Sequence, residues 1–106
     1  MQRYIVSIFL ASSILLAGCV TIGKTFPVEK LSAIDPGSTT RADIEKMFGE
    51  PWRVGKDNGL RTWTFAHYKY ALFGESKTRD LVIRFDASGK VVSYTFNSTY
   101  REDETL

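Results

Sequence analysis

The 106-residue chain contains a single cysteine, Cys19, and a single histidine, His67. One cysteine cannot form a disulfide within the chain, so the fold has to be stabilised by packing. It also excludes a C-x-x-C motif.

Other residues that could carry catalysis are few and scattered. The sequence has no Gly-rich phosphate loop and no G-x-S-x-G motif. His67 lies in a predicted strand and could act as a base, but the sequence offers no nucleophile to partner it. We therefore interpret it as a partly exposed strand residue. The acidic residues Asp43, Glu45 and Glu50 occupy positions that point apart on a helix, which favours a solvated surface over a metal site. We therefore predict a protein that is not an enzyme and has no cofactor.

Neither sign of charge dominates the chain. There are 14 Lys and Arg residues against 12 Asp and Glu, a formal net charge of +2. The two signs are interspersed, and no predicted element carries a basic stripe of the kind that follows a phosphate backbone. A nucleic-acid partner is therefore not expected.

The N-terminal segment has the outline of a secretory signal peptide. Arg3 precedes an uncharged, mostly apolar stretch from Tyr4 to Leu16, and the small residues Ala17 and Gly18 follow. A helix that crosses a membrane needs roughly 20 apolar residues, and this run is shorter. We predict that residues 1–18 are a signal peptide.

The four residues from Leu16 to Cys19 resemble a bacterial lipobox. This resemblance implies cleavage after Gly18, attachment of diacylglycerol to the thiol of Cys19 and a further acyl chain on the new amino terminus. Each buried methylene contributes about 0.8 kcal/mol, so such an anchor would be effectively permanent. By the same resemblance, Val20 favours sorting to the outer membrane. The alternative is an unmodified, buried Cys19 in an ordinary hydrophobic segment.

The rest of the chain is predicted to form one small domain. We assign residues 19–26 to the lipidated N-terminus and a short tether, residues 27–98 to the domain and residues 99–106 to a polar, frayed tail. Within the domain, a short helix is predicted after Pro27 from the spacing of its apolar residues. Those residues are Val28, Leu31 and Ile34.

A second, amphipathic helix is predicted between Thr40 and Gly49. Thr40 can act as N-cap with Asp43 three positions on, an acidic variant of the capping box. Gly49 suits the left-handed position after the last turn. The apolar stripe of this helix consists of Ile44, Met47 and Phe48.

Three alternating segments predict strands at residues 60–70, 79–85 and 91–98. Between the last two, Asp86 to Lys90 predicts a tight hairpin with Gly89 at a positive φ. The expected architecture is α+β: one or two short N-terminal helices packed on a three-stranded antiparallel β-meander, in the order ααβββ.

The first of these strands is unusually aromatic. If Trp63 and Phe65 face the helix, Tyr68 and Tyr70 emerge on the opposite face, with Phe73 in the following loop. Exposed aromatic side chains beside basic residues suit contact with a protein or a lipid headgroup. The alternative is that these rings are exposed singly and without function, as in many small proteins.

The motifs GSTTRADIEKMFGEP, Trp63-Thr64-Phe65 and the hairpin from Phe85 to Gly89, in this order, resemble the SmpA/OmlA, or BamE-like, family of small outer-membrane lipoproteins. The resemblance covers roughly residues 31–96. It implies two helices on a three-stranded sheet, no catalysis, and an accessory role in the machinery that folds β-barrel proteins into the outer membrane. It also implies association with anionic phospholipid.

By this resemblance, the partner and lipid contacts fall on the segment after Pro51 and the adjoining strand. Arg53 and Arg61 could pair with phosphate or carboxylate, while Trp52 and Leu60 could supply apolar anchoring. Two other functions fit the sequence. One is a stress-related envelope lipoprotein of the same fold, and the other is an inhibitor or binding protein for a secreted hydrolase.

Overall fold

The computed structural model describes residues 20–105. These residues form one α-helix, two short 3-10 turns at Val28–Ala33 and Arg101–Asp103, and five strands. The helix is α1 (Arg41–Phe48). The strands are β1 (Val20–Gly23), β2 (Arg53–Asp57), β3 (Leu60–Tyr70), β4 (Lys77–Phe85) and β5 (Val91–Ser98).

All five strands belong to one antiparallel sheet built around β3. One edge of β3 pairs with β4, and β4 pairs in turn with β5. The other edge is shared, because β2 pairs with the first half of β3 and β1 pairs with its second half. The long, aromatic β3 is therefore paired along both edges.

The predicted ααβββ architecture is wrong. The sheet has five strands instead of three, and only one α-helix packs on it within residues 20–105. The first predicted helix is a 3-10 turn, Val28–Ala33. Its apolar residues recur every three positions, which is the period of a 3-10 helix, whereas an α-helix also needs apolar residues four apart.

The residues predicted to begin and end α1 are confirmed. Thr40 is the N-cap, and its hydroxyl oxygen accepts a hydrogen bond from the backbone N–H of Asp43. The Asp43 carboxylate accepts one from the N–H of Thr40 in return. These bonds keep the pKa of Asp43 below its usual value. The helix ends before Gly49, which has a φ of 84°.

The hairpin between β2 and β3 was not predicted from the sequence. Asn58 and Gly59 form its turn, with φ angles of 51° and 80°. Positive φ at both central residues is typical of the tight turns that match the twist of paired strands, and Asn-Gly is the commonest sequence for them. This turn brings Trp52 and Arg53 back alongside β3.

The core lies on one face of the sheet, beneath α1 and the first 3-10 turn. Phe26 belongs to it, with its ring centroid 6.3 Å from that of Phe65 and 6.5 Å from that of Phe48. Residues 20–26 are therefore not the predicted tether, since they contribute a strand and a core side chain. The buried core residues are Phe26, Leu31, Ile34, Ile44, Phe48, Phe65, Leu81, Ile83, Phe85 and Val91.

The segment after β5 also differs from the frayed tail predicted for it. The Arg101–Asp103 turn buries the Asp103 carboxylate, which accepts hydrogen bonds from the guanidinium of Arg79 at 2.6 and 2.9 Å. The charged composition of residues 99–106 favoured a solvated tail. Composition does not show that Arg79 in β4 lies close enough to pair with Asp103.

Candidate functional site

One face of the sheet is left open by the described elements. The helix and the first 3-10 turn pack on the face that carries Phe65, Leu81 and Ile83. The opposite face carries the alternate residues of each strand. In register across it, Tyr68 lies between Ile22 of β1 and Thr78 of β4. We call this surface the open face.

Aromatic side chains gather at one end of the open face. The Trp52 and Tyr68 rings meet edge to face with centroids 6.2 Å apart, and the Tyr68 and Tyr70 centroids are also 6.2 Å apart. The Arg53 guanidinium lies over the Trp52 ring, 4.7 Å from its centroid. We call these four residues, Trp52, Arg53, Tyr68 and Tyr70, the aromatic patch.

The patch is partly exposed to solvent, and neighbouring charged groups act on the pKa of Tyr68. Trp52 and Tyr70 keep 42% and 44% of their surface accessible, so their rings are available to a partner. The pKa of Tyr68 is raised, chiefly because packing removes water from its hydroxyl and then because of the Asp80 carboxylate and Tyr70, with Arg53 opposing. Tyr68 therefore stays neutral and can donate a hydrogen bond at neutral pH.

The other end of the open face is polar. The Arg84 Nε donates to the Asp57 carboxylate at 3.1 Å, and its Nη1 donates to the Thr95 hydroxyl at 3.2 Å. These partners hold the guanidinium of Arg84 across β2, β4 and β5. The open face thus changes from polar near the β2–β3 turn to aromatic near the start of the described chain.

Four of the predicted contact residues form the patch, and the others do not join it. Leu60 and Arg61 lie at the opposite end of β3 from Tyr70. Arg61 instead lines a shallow pocket of about 230 Å³ near the β2–β3 and β4–β5 turns, together with Arg41 and Lys56.

Phe73 lies beyond the patch, in the loop that follows β3, and is 86% exposed. The predicted cleavage site at Gly18 and the predicted lipidation site at Cys19 are outside the described residues, so they stay predictions.

Sequence reasoning missed the contribution of β1. Ile22 lies opposite Tyr68, and Val20 lies opposite Tyr70. Both are exposed, so they extend the apolar surface of the patch. The β-branched residues of Val20–Ile22 are a strand signal, but a four-residue strand paired with residues more than forty positions away is difficult to infer from local pattern.

A groove, separate from the pocket at Arg61, runs beside the patch on the side toward α1. It has a volume of about 220 Å³ and lies between Trp52, Phe48 and the chain that leaves β1 at Lys24. Its floor is formed by aromatic core residues, so it could accept an apolar side chain next to the Trp52 ring.

The single histidine of the chain lies in the sheet. His67 is half-buried in β3, opposite Gly23 and Arg79. Among residues 20–105, no group of three or more His, Cys, Asp or Glu side chains is placed to hold a metal ion. The helix within the same residues is also too short to cross a membrane.

The resemblance to the BamE-like family rests on the quoted motifs, and the fold that it implies differs from the five-stranded sheet described above. Comparison with family models, with curated proteins and with solved structures found no match to this chain.

Proposed function

We propose that this chain is a non-enzymatic, lipid-anchored protein of the bacterial outer membrane that faces the periplasm. In this proposal it acts as an accessory factor in the assembly of outer-membrane β-barrel proteins, and the aromatic patch contacts a subunit of the assembly machinery. The signal-peptide pattern and the lipobox-like residues before Val20 support the envelope location.

The observation that carries the proposed role is the aromatic patch itself. Trp, Tyr and Arg are the residue types that dominate the energetics of protein interfaces. Here they are gathered on a face that no described helix covers, instead of being scattered singly. The alternative of isolated exposed rings is therefore the weaker interpretation of Trp52, Tyr68 and Tyr70.

The chemistry of the patch favours an anionic group within an otherwise apolar partner surface. The Arg53 guanidinium contacts the Trp52 ring through its face, and its N–H groups could bind a carboxylate or phosphate in a bidentate manner. A protein carboxylate and the phosphate of an anionic phospholipid such as phosphatidylglycerol share this chemistry. The rings around Arg53 would exclude water from such a pair.

The experiment that tests this function is purification of the tagged protein from cell envelopes in mild detergent. Proteins that remain attached are identified by mass spectrometry, and the mass of the purified protein shows whether Cys19 is acylated. Three variants are compared with the wild type: Cys19→Ala, which removes the anchor; Arg53→Glu with Trp52→Ala, which removes the centre of the patch; and Lys46→Glu. Lys46 is exposed on α1, so Lys46→Glu reverses a charge away from the patch.

We expect subunits of the barrel-assembly machinery to copurify with the wild type and with Lys46→Glu, and to be lost with the other two variants. A correctly folded Arg53→Glu/Trp52→Ala protein that keeps those subunits would contradict the role of the patch. A secreted hydrolase as the attached protein, or an unrelated envelope protein, would replace the proposed function by an inhibitor or a stress-related lipoprotein.

A further inference from the structure

The loop between β3 and β4 exposes two adjacent apolar side chains. Leu72 and Phe73 are 65% and 86% accessible, and they precede Gly74, whose φ of 101° turns the chain back toward β4. Among the large hydrophobic residues that the structure describes, these two are the most exposed. Two neighbouring apolar side chains at the tip of a loop lose water contact only when something outside the described chain covers them.

The register of the sheet places this loop at the end where the described chain begins. Val20 pairs with Tyr70 in an antiparallel ladder, so β1 begins at the same end of the sheet at which β3 ends. Consecutive Cα atoms are about 3.8 Å apart, which keeps Cys19 within one residue of this end. The predicted site of lipid attachment and the apolar loop tip therefore share one end of the molecule.

The base of the loop is basic. Lys69, the second-last residue of β3, and Lys77, the first residue of β4, pair across the two strands, while Glu75 is the acidic residue within the loop. Apolar residues at a tip with lysines behind them match the layering of a bilayer surface, where acyl chains lie beneath anionic headgroups. Tyr70, which is partly exposed, stands between Lys69 and the loop tip along the chain, and aromatic rings with a polar end are favoured at a membrane surface.

We propose that Leu72 and Phe73 insert into the same bilayer that holds the lipid on Cys19, so that the protein has two attachment points at one end. This proposal rests on the anchor of the proposed function. Its consequence is a fixed orientation: β3 rises away from the membrane, and its far end at Leu60 stands about 34 Å higher, at about 3.4 Å per residue. Tyr70 would then lie close to the headgroups, whereas Arg53, which pairs with Thr64, would stand about 20 Å higher at the same rise per residue.

The test uses the full chain purified with its native anchor and reconstituted into vesicles of phosphatidylethanolamine and phosphatidylglycerol. An environment-sensitive fluorophore is attached to Phe73→Cys or, as the matched control, to Ala87→Cys in the exposed turn between β4 and β5. We expect the label at position 73 to shift to shorter wavelength and to be several-fold more protected from an aqueous quencher than the label at position 87. Brominated lipids should quench only the label at position 73.

Equal access of the aqueous quencher to both labels would overturn the insertion. So would protection at position 73 that appears only when copurified protein is added back, because the tip would then be a protein contact. An unmodified Cys19 would be recognised from the mass, and the same labels on a Cys19→Ser background, mixed with vesicles, would still decide whether the tip inserts.

Failure of this inference is distinguishable from failure of the proposed function. Leu72→Asp with Phe73→Asp removes the apolar tip but leaves the patch and Cys19 unchanged. We expect it to abolish quenching by brominated lipids at a label placed on Ser76→Cys, measured against the same label with the tip intact. The attached proteins identified by copurification report on the patch and do not depend on this result.

Discussion

At the scale of single residues, Gly23 shows how closely β1 approaches β3. A Cβ added at this position would lie 2.0 Å from the backbone oxygen of Ala66, and the φ of Gly23 is 81°. Neither the overlap nor the backbone conformation can be relieved by a side-chain rotation. We expect Gly23→Ala to lower the free energy of unfolding by more than the roughly 1–2 kcal/mol cost of a left-handed alanine, measured by urea denaturation.

Gly37 provides the matched control for this prediction. Its φ is 92°, but no atom lies within 4 Å of an added Cβ. Gly37→Ala should therefore show the cost of the backbone conformation alone. If Gly23→Ala were no more destabilising than Gly37→Ala, β1 would not be closely paired with β3 in solution, and the position of the loop tip beside Val20 would lose its basis.

At the scale of elements, the Arg101–Asp103 turn is held to the sheet by charged hydrogen bonds. The Arg79 guanidinium, which also stacks 3.9 Å from the Tyr100 ring, keeps the pKa of Asp103 below its usual value. A carboxyl with a lower pKa in the folded state stabilises the fold above its unfolded pKa of about 3.9, and this stabilisation is lost as pH falls through the folded pKa. Asp103→Asn should remove this part of the acid dependence.

The same substitution is expected to reduce the free energy of unfolding at pH 7 by about 1–3 kcal/mol, because it weakens hydrogen bonds between two charged groups. Glu102→Gln is the control, since the Glu102 side chain is two-thirds exposed and 3.9 Å from Arg79. It should change stability little. Denaturation of all three proteins at pH 3 and pH 7 checks the prediction, and an equal acid response of wild type and Asp103→Asn would contradict it.

The elements also differ in how far the sequence could predict them. The limits of α1 follow from neighbouring residues, since Thr40 and Gly49 act within one turn of the helix ends. The strand Arg53–Asp57 has three charged residues in five and no apolar alternation. The Asn58-Gly59 turn that follows it is therefore its one sequence signal. The aromatic patch could not be assembled from the sequence alone, because Trp52 meets Tyr68 only once β2 has paired with β3.

At the scale of the whole molecule, the two faces of the sheet differ in how far their aromatic residues are buried. The core face carries Phe65, which is 3% exposed and whose ring lies 5.6 Å from that of Phe48 on α1. The open face carries Tyr70, which packs against Tyr68 and keeps 44% of its surface accessible. Two aromatic residues five positions apart in β3 therefore lie in opposite environments, one in the core and one at the surface.

We expect Phe65→Ala to lower the free energy of unfolding by about 3–5 kcal/mol, because it leaves a cavity between the sheet and α1. Tyr70→Ala should cost less than about 1 kcal/mol, because 44% of its surface stays accessible in the folded protein and substitutions at surface positions have small effects. Guanidinium denaturation measures both. If Tyr70→Ala proved as destabilising as Phe65→Ala, the open face would be covered in the free protein, and its aromatic side chains would belong to a second core instead of a binding surface.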